Sequence, residues 1–110
     1  MDLPDTPFTH INWEKLSSEE YPGVTGTSHW RTFNSADLRV RIVDYGAGFL
    51  ADHWCDRGHV LHVISGDLVI ELADGRKVEM ISGSSFCVSD FGDAPHRVRT
   101  ADGCRVFIVD

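Results

Sequence analysis

His53, Cys55 and His59 fall close together within residues 48–66 (GFLADHWCDRGHVLHVISG). Imidazole and thiolate are the side chains that zinc and other first-row transition metals select. His53 and Cys55 are two positions apart, so an extended strand sends both from one face. Asp56-Arg57-Gly58 reads as a short turn. His59 then opens the apolar run VLHVI and can return beside the first pair. A fourth donor is His96, in Ala94-Pro95-His96-Arg97-Val98.

Two shells are compatible with this spacing. If all four residues bind, a His3Cys set closes a tetrahedral zinc site of the structural type. If Cys55 stands aside, His53, His59 and His96 leave room for water or substrate, as catalytic sites do. Zinc is the favoured ion, with nickel, iron or copper also accommodated. The same residues can instead be satisfied by hydrogen bonds to one another or to buried water, with no ion at all. Phe49 and Ala51 share the face of His53 and Cys55, and Val98 shares that of His96. All these side chains are therefore expected to point inward, where an unpaired imidazole is costly. Cys55 has two further readings, as a thiol activated by neighbouring imidazoles or as a small buried residue.

The elements that must position these residues read as strands. Residues 1–9 hold two prolines and two aspartates, which implies a loosely docked start. HINWEKL (10–16) fits a short strand or one helical turn. Ser17-Ser18-Glu19-Glu20 carries a helix-start signal that Pro22-Gly23 ends almost at once. SHWRTF (28–33) fits a strand with Trp30 turned toward a partner surface. Leu38, Val40 and Ile42 alternate with Arg39 and Arg41, the pattern of a half-buried strand with a solvated arginine face. Residues 49–55 form the next strand, with Asp52 and Trp54 opposite the ligand face. Residues 59–64 follow, with His62 on the face away from His59. Ser65-Gly66-Asp67 is expected to turn the chain into residues 68–72. Asp74-Gly75 is a strong hairpin signal leading into residues 77–81. Ser82-Gly83-Ser84 turns into residues 85–88, DFGDAP (90–95) is a loop, and Asp102-Gly103 is a second hairpin signal before the apolar strand 104–109. Cys87 and Cys104 are expected in the core. His10 and His29 lack partners at metal spacing. Arg97 and Arg99 form another outward pair. Short strands with a turn signal about every 8–12 residues, and no long helix, indicate an all-β sandwich or barrel.

Gly48, four residues, His53-x-Cys55, three residues, His59, six residues and Gly66 resemble the first motif of the cupin superfamily, G-x5-H-x-H-x3,4-E-x6-G. Cys55 stands where that family has its second His, His59 where it has Glu, and the first gap is one residue short. Gly83 and His96 echo the second motif more loosely. Asp52-His53-Trp54-Cys55 further resembles a small bacterial cupin family marked by a DHCW-type string. The resemblance implies a double-stranded β-helix jelly-roll barrel over residues 36–110. Residues 1–35 would be an N-terminal extension packed on that barrel or on a partner subunit. It also implies a three-His, one-carboxylate style of metal site, here altered, and a homodimer.

The resemblance places a small-molecule pocket in the barrel mouth, with Phe49, Leu61 and Val63 as its wall. Asp90 and Asp93, in the loop before His96, could reach that mouth. The leading reading is a metal-binding cupin that acts on or binds a small molecule, reaction unspecified. The alternatives are a non-catalytic metabolite- or metal-binding module and a metal-free structural cupin.

Composition narrows the partners. At 110 residues there is one domain. A formal net charge of −7 argues against nucleic acid and anionic membranes. The start MDLPDTPFTH lacks the basic and apolar segments of a signal peptide. Three cysteines exclude a complete disulfide framework, and a reducing cytoplasm is the simplest setting.

Overall fold

A computed structural model describes residue 3 and residues 5–110. The expected loose start over residues 1–9 therefore falls in part on residues 1, 2 and 4, outside the described residues. Eight strands account for the regular structure: β1 Glu19–Pro22, β2 Thr27–Ser35, β3 Leu38–Tyr45, β4 His59–Leu72, β5 Lys77–Ile81, β6 Ser85–Val88, β7 His96–Arg99 and β8 Cys104–Val109. A single 3-10 turn, Trp13–Lys15, precedes them, its Asn12 side chain accepting from the Glu14 N–H. No helix among the described residues is long and apolar enough to cross a membrane.

All pairings are antiparallel. One sheet runs β1-β2-β3-β8-β4-β6 and a second joins the far half of β4 to β5 and β7. β4 belongs to both. Its register against β8 shifts between Val63 and Ser65, at a bulge. Gly66 follows with φ +77°, and a Cβ there would collide with the Gly103 carbonyl oxygen. The expected turn at Ser65-Gly66-Asp67 is thus a bend inside a 14-residue strand. Pairing continues through it, so no turn separates two strands there.

The core lies between the two sheets. Val43, Leu61, Val63, Val106 and Ile108 come from one, and Leu68, Ile70, Met80 and Val98 from the other. On the inner face of the larger sheet the ladder stacks three rows. Val43, Val106 and Val63 are register partners, and each has no exposed surface. The next row is Arg41, Ile108, Leu61 and Phe86. Beyond it lie Arg39 and Asp110, joined by reciprocal backbone hydrogen bonds of 2.6 and 2.9 Å, and then His59.

These rows reverse one expectation. Arg39 and Arg41 face inward with Val43, and Arg41 is only 5% exposed. Leu38, Val40 and Ile42 take the other face, where Trp13 packs edge-on against Phe107, the β8 partner of Ile42. Both faces of β3 are covered, so alternation there could not identify the solvated side.

Several other expectations also change. Residues 19–22 form an edge strand, which tolerates Pro22. Residues 49–55 make isolated bridges, at Leu50 and Cys55, and no continuous ladder. Asp102-Gly103 turns the chain but makes no hairpin, because β7 pairs with β4 while β8 pairs with β3 and β4. Trp30 is half-buried and donates from Nε1 to Ser28 Oγ at 3.0 Å. Cys104 is buried as expected, but Cys87 is exposed on the outward positions of β6. Asp74-Gly75 does form the β4–β5 hairpin, with Gly75 at φ +99°.

Candidate metal centre

His59 is the first residue of β4 and His96 the first of β7, so one imidazole enters from each sheet. Cys55 lies on the connecting segment between them in space. Its N–H donates to the His96 carbonyl at 2.7 Å, and the His96 N–H returns the bond at 2.8 Å. The ligand-type atoms of Cys55, His59 and His96 all lie within 4.8 Å of one another. His59 Nε2 and His96 Nε2 are 2.7 Å apart, with the rings nearly perpendicular. Phe86 packs against both rings and fixes their tilt.

Asp110 stands behind His59. Its side chain is 1% exposed, and Oδ2 lies 3.4 Å from His59 Nδ1. That distance is long for a hydrogen bond, and the buried Nδ1 has no nearer partner. Arg39 grips the same carboxylate at both oxygens, through Nε at 2.9 Å and Nη2 at 2.8 Å. Arg41 Nη2 reaches it at 3.2 Å and Arg57 Nε lies 3.8 Å away. Burial alone would raise the Asp110 carboxyl pKa; the paired hydrogen bonds from Arg39, together with the Arg41 charge, overcome it and hold the group ionised. In the tautomer that carries its proton on Nδ1, His59 would direct that N–H toward the carboxylate and its Nε2 lone pair toward His96. Burial, followed by the neighbouring His59, pushes the His96 pKa down and favours the neutral, lone-pair-bearing ring.

The donor set fits a transition metal. One sulfur and two imidazole nitrogens converge, and a carboxylate lies 3.4 Å behind one ring, on the side where outer partners of zinc-bound histidines sit. The 2.7 Å nitrogen contact is a hydrogen-bond distance. It is shorter than the separation of about 3.4 Å between two nitrogens on a tetrahedral zinc, so the rings must part to share an ion.

His53 does not join this group. Its side chain is 75% exposed, and Nδ1 lies 2.8 Å from Asp52 Oδ1. That hydrogen bond holds the Asp52 carboxyl below its ordinary range. The expectation that His53 and Cys55 share an inward strand face fails because the chain bends at residues 52 and 53, and residues 52–54 are exposed and form no ladder. His53 instead lines the rim of the cavity that contains the cluster. His62 bonds Ser85 Oγ on the other face.

The cavity holds about 340 Å³. Phe49 and Leu61 line it, and Val63 lies deeper, in the valine row. Asp90 and Asp93 are turned to other work. Asp90 accepts from the Gly58 N–H, and Asp93 pairs with Arg76. Arg97 bonds Glu71 at 3.0 Å and lies over Trp54, so it too is less solvated than its alternation implied, while Arg99 is exposed. Two groups escaped the sequence reading: Asp110 and the inward arginine pair. A signal existed for the first, since Val106, Ile108 and Asp110 continue one strand parity and put an acid on an apolar face.

No protein-family model matches the chain. No curated protein is significantly similar to it. Solved structures do share its fold. A cupin-2 domain containing protein from Shewanella frigidimarina is 19% identical, with 74% of this chain and 78% of that one covered and a TM-score of 0.57. The polyketide cyclase RemF from Streptomyces resistomycificus is 18% identical over 94% of this chain and 78% of its own, with a TM-score of 0.75. The structure of Fe(II)-HppE with an alternative substrate is 14% identical over 99% of this chain and 62% of its own, with a TM-score of 0.76.

Proposed function

We propose that Cys55, His59 and His96 hold one divalent transition metal at the mouth of a cupin-type jelly roll, and that a small molecule binds beside it. The observation that carries this reading is the convergence of the three donors within 4.8 Å, with a buried carboxylate behind His59. Three protein donors leave a coordination position open, which is the catalytic kind of shell. A thiolate beside two imidazoles favours zinc, with nickel, iron or copper accommodated. When bound, such an ion supplies Lewis acidity or an activated water. The chain supplies the rest. Asp110 fixes the His59 ring, Phe86 excludes water from one side, and Phe49 and Leu61 give the cavity apolar walls. The iron in Fe(II)-HppE supports the reading by analogy of fold.

The 2.7 Å contact between His59 and His96 favours a second reading, in which the histidines satisfy each other without an ion. Metal content by mass spectrometry separates the two. After reconstitution with zinc and desalting, about one ion per chain is expected, and His59→Ala and His96→Ala should each lose it. A wild-type protein that retains no ion would leave the metal-free reading.

A further inference from the structure

Arginines outnumber acids in the lining of this cavity, whose acidic residue is Asp52. Three of its lining residues are arginines: Arg39, Arg41 and Arg97. Arg97 is matched by Glu71. Arg39 and Arg41 share the single Asp110 carboxylate, which also faces Arg57 and His59. Arg39 takes both oxygens. Arg41 is left with one 3.2 Å bond, and its buried Nε has no partner. Burial and the Arg39 charge both act against the Arg41 cation, and Asp110 only partly offsets them. A buried guanidinium with an unused donor is costly unless something else meets it.

The surroundings limit what that can be. The Trp30 ring lies 4.4 Å from the Arg41 guanidinium carbon and steadies its plane. Leu61, Val98, Phe49 and Ile108 make the rest of the wall mostly apolar. Tyr45 also lines the space; burial raises its pKa, so it stays a neutral phenol able to donate. About 340 Å³ is at the small end of ligand pockets. A planar guanidinium with one unmet donor suits the two oxygens of a carboxylate, whereas a phosphate would leave oxygens unmet against apolar side chains.

We infer that the cavity takes a small monocarboxylic acid with an apolar or aromatic body, its carboxylate on Arg41 with Arg39 beside it and its body toward Phe49 and Leu61. This rests on the reading of the cavity as a small-molecule site but not on the ion. Arg41 is the residue that would discriminate an acid from its neutral analogue.

Calorimetric titration tests it with benzoate, benzamide and inorganic phosphate, on chelator-treated and on zinc-loaded protein. Benzoate should bind saturably to the chelator-treated form, with benzamide and phosphate weaker by roughly tenfold or more. Arg41→Met should weaken benzoate by roughly 10- to 100-fold. Should that variant fail to fold, Arg41→Lys, which keeps the charge but not the planar fork, should still cost roughly tenfold. Equal binding of benzoate and benzamide, equal binding of phosphate, no benzoate binding, or an indifferent Arg41→Lys would each overturn the inference. Zinc uptake without benzoate binding would overturn it and leave the metal centre standing. Arg41-dependent benzoate binding without zinc uptake would do the reverse.

Discussion

Two rows of the same sheet, separated by the row of Arg41, Ile108 and Leu61, are built on opposite terms. The valine row, Val43, Val106 and Val63, is fully buried and has no side-chain polar group to satisfy. The mouth row, Arg39, Asp110 and His59, is charged and nearly as deeply enclosed at Asp110. The first gains from apolar burial, which needs no particular partner. The second holds only because each charge has a specific partner, and desolvation makes any missing partner expensive. Continuous pairing along β3, β8 and β4 joins the two, so the dry row fixes the strands on which the polar row is displayed.

The contrast can be broken most strongly at Asp110. Asp110→Asn keeps the shape and removes the charge that three arginines and His59 share. It should destabilise the fold by about 3–5 kcal/mol, as loss of one member of a buried ionic cluster does. It should also weaken zinc binding by roughly 10- to 100-fold, the usual cost of losing an outer partner of a ligating histidine. Chemical denaturation and a competitive chelator titration read the two effects. Unchanged zinc affinity would show that Asp110 serves the arginines alone.

A smaller change at the dry row should separate stability from chemistry. Val106→Ala removes two buried methyl groups and should cost about 1–3 kcal/mol in a denaturant melt. Zinc stoichiometry in the folded variant should stay at the wild-type value. A loss of metal there would mean that the rows are coupled more tightly than their separation implies.

The smallest effect is chemical. Cys104 lies on the inner face of β8, and burial pushes its pKa up to about 11. Cys87 is exposed, and Cys55 lies between these extremes at the mouth. Alkylation followed by mass spectrometry should label Cys87 promptly and Cys104 only on unfolding, since the thiolate is the reactive form. Cys55 should react in the chelator-treated protein and be protected by zinc. Equal labelling of Cys55 with and without zinc would remove it from the centre.

The sequence reading succeeded where local chemistry decides the outcome. Asp74-Gly75 supplies a tight turn whatever surrounds it, and the β4–β5 hairpin forms there. It failed where a distant partner decides. Arg39 and Arg41 look solvated until a carboxylate 71 residues away closes on Arg39. The adjacent apolar pair Ile42 and Val43 was the local hint that β3 is covered on both faces. His53 failed for a different reason. The alternation from Phe49 to Cys55 presumes an extended strand, but the chain bends at residues 52 and 53 and the Asp52 carboxylate holds the ring outside. Gly66 looked like a turn because a positive φ serves a bulge as well as a reversal.

The central claim is a metal centre of two imidazoles and one thiolate, and cobalt(II) substitution tests it most directly. The cobalt-loaded protein should show a sulfur-to-metal charge-transfer band in the near ultraviolet. Cys55→Ser should abolish the band while cobalt stays bound through His59 and His96. A wild-type protein that binds no cobalt, or a band that survives Cys55→Ser, would contradict the account.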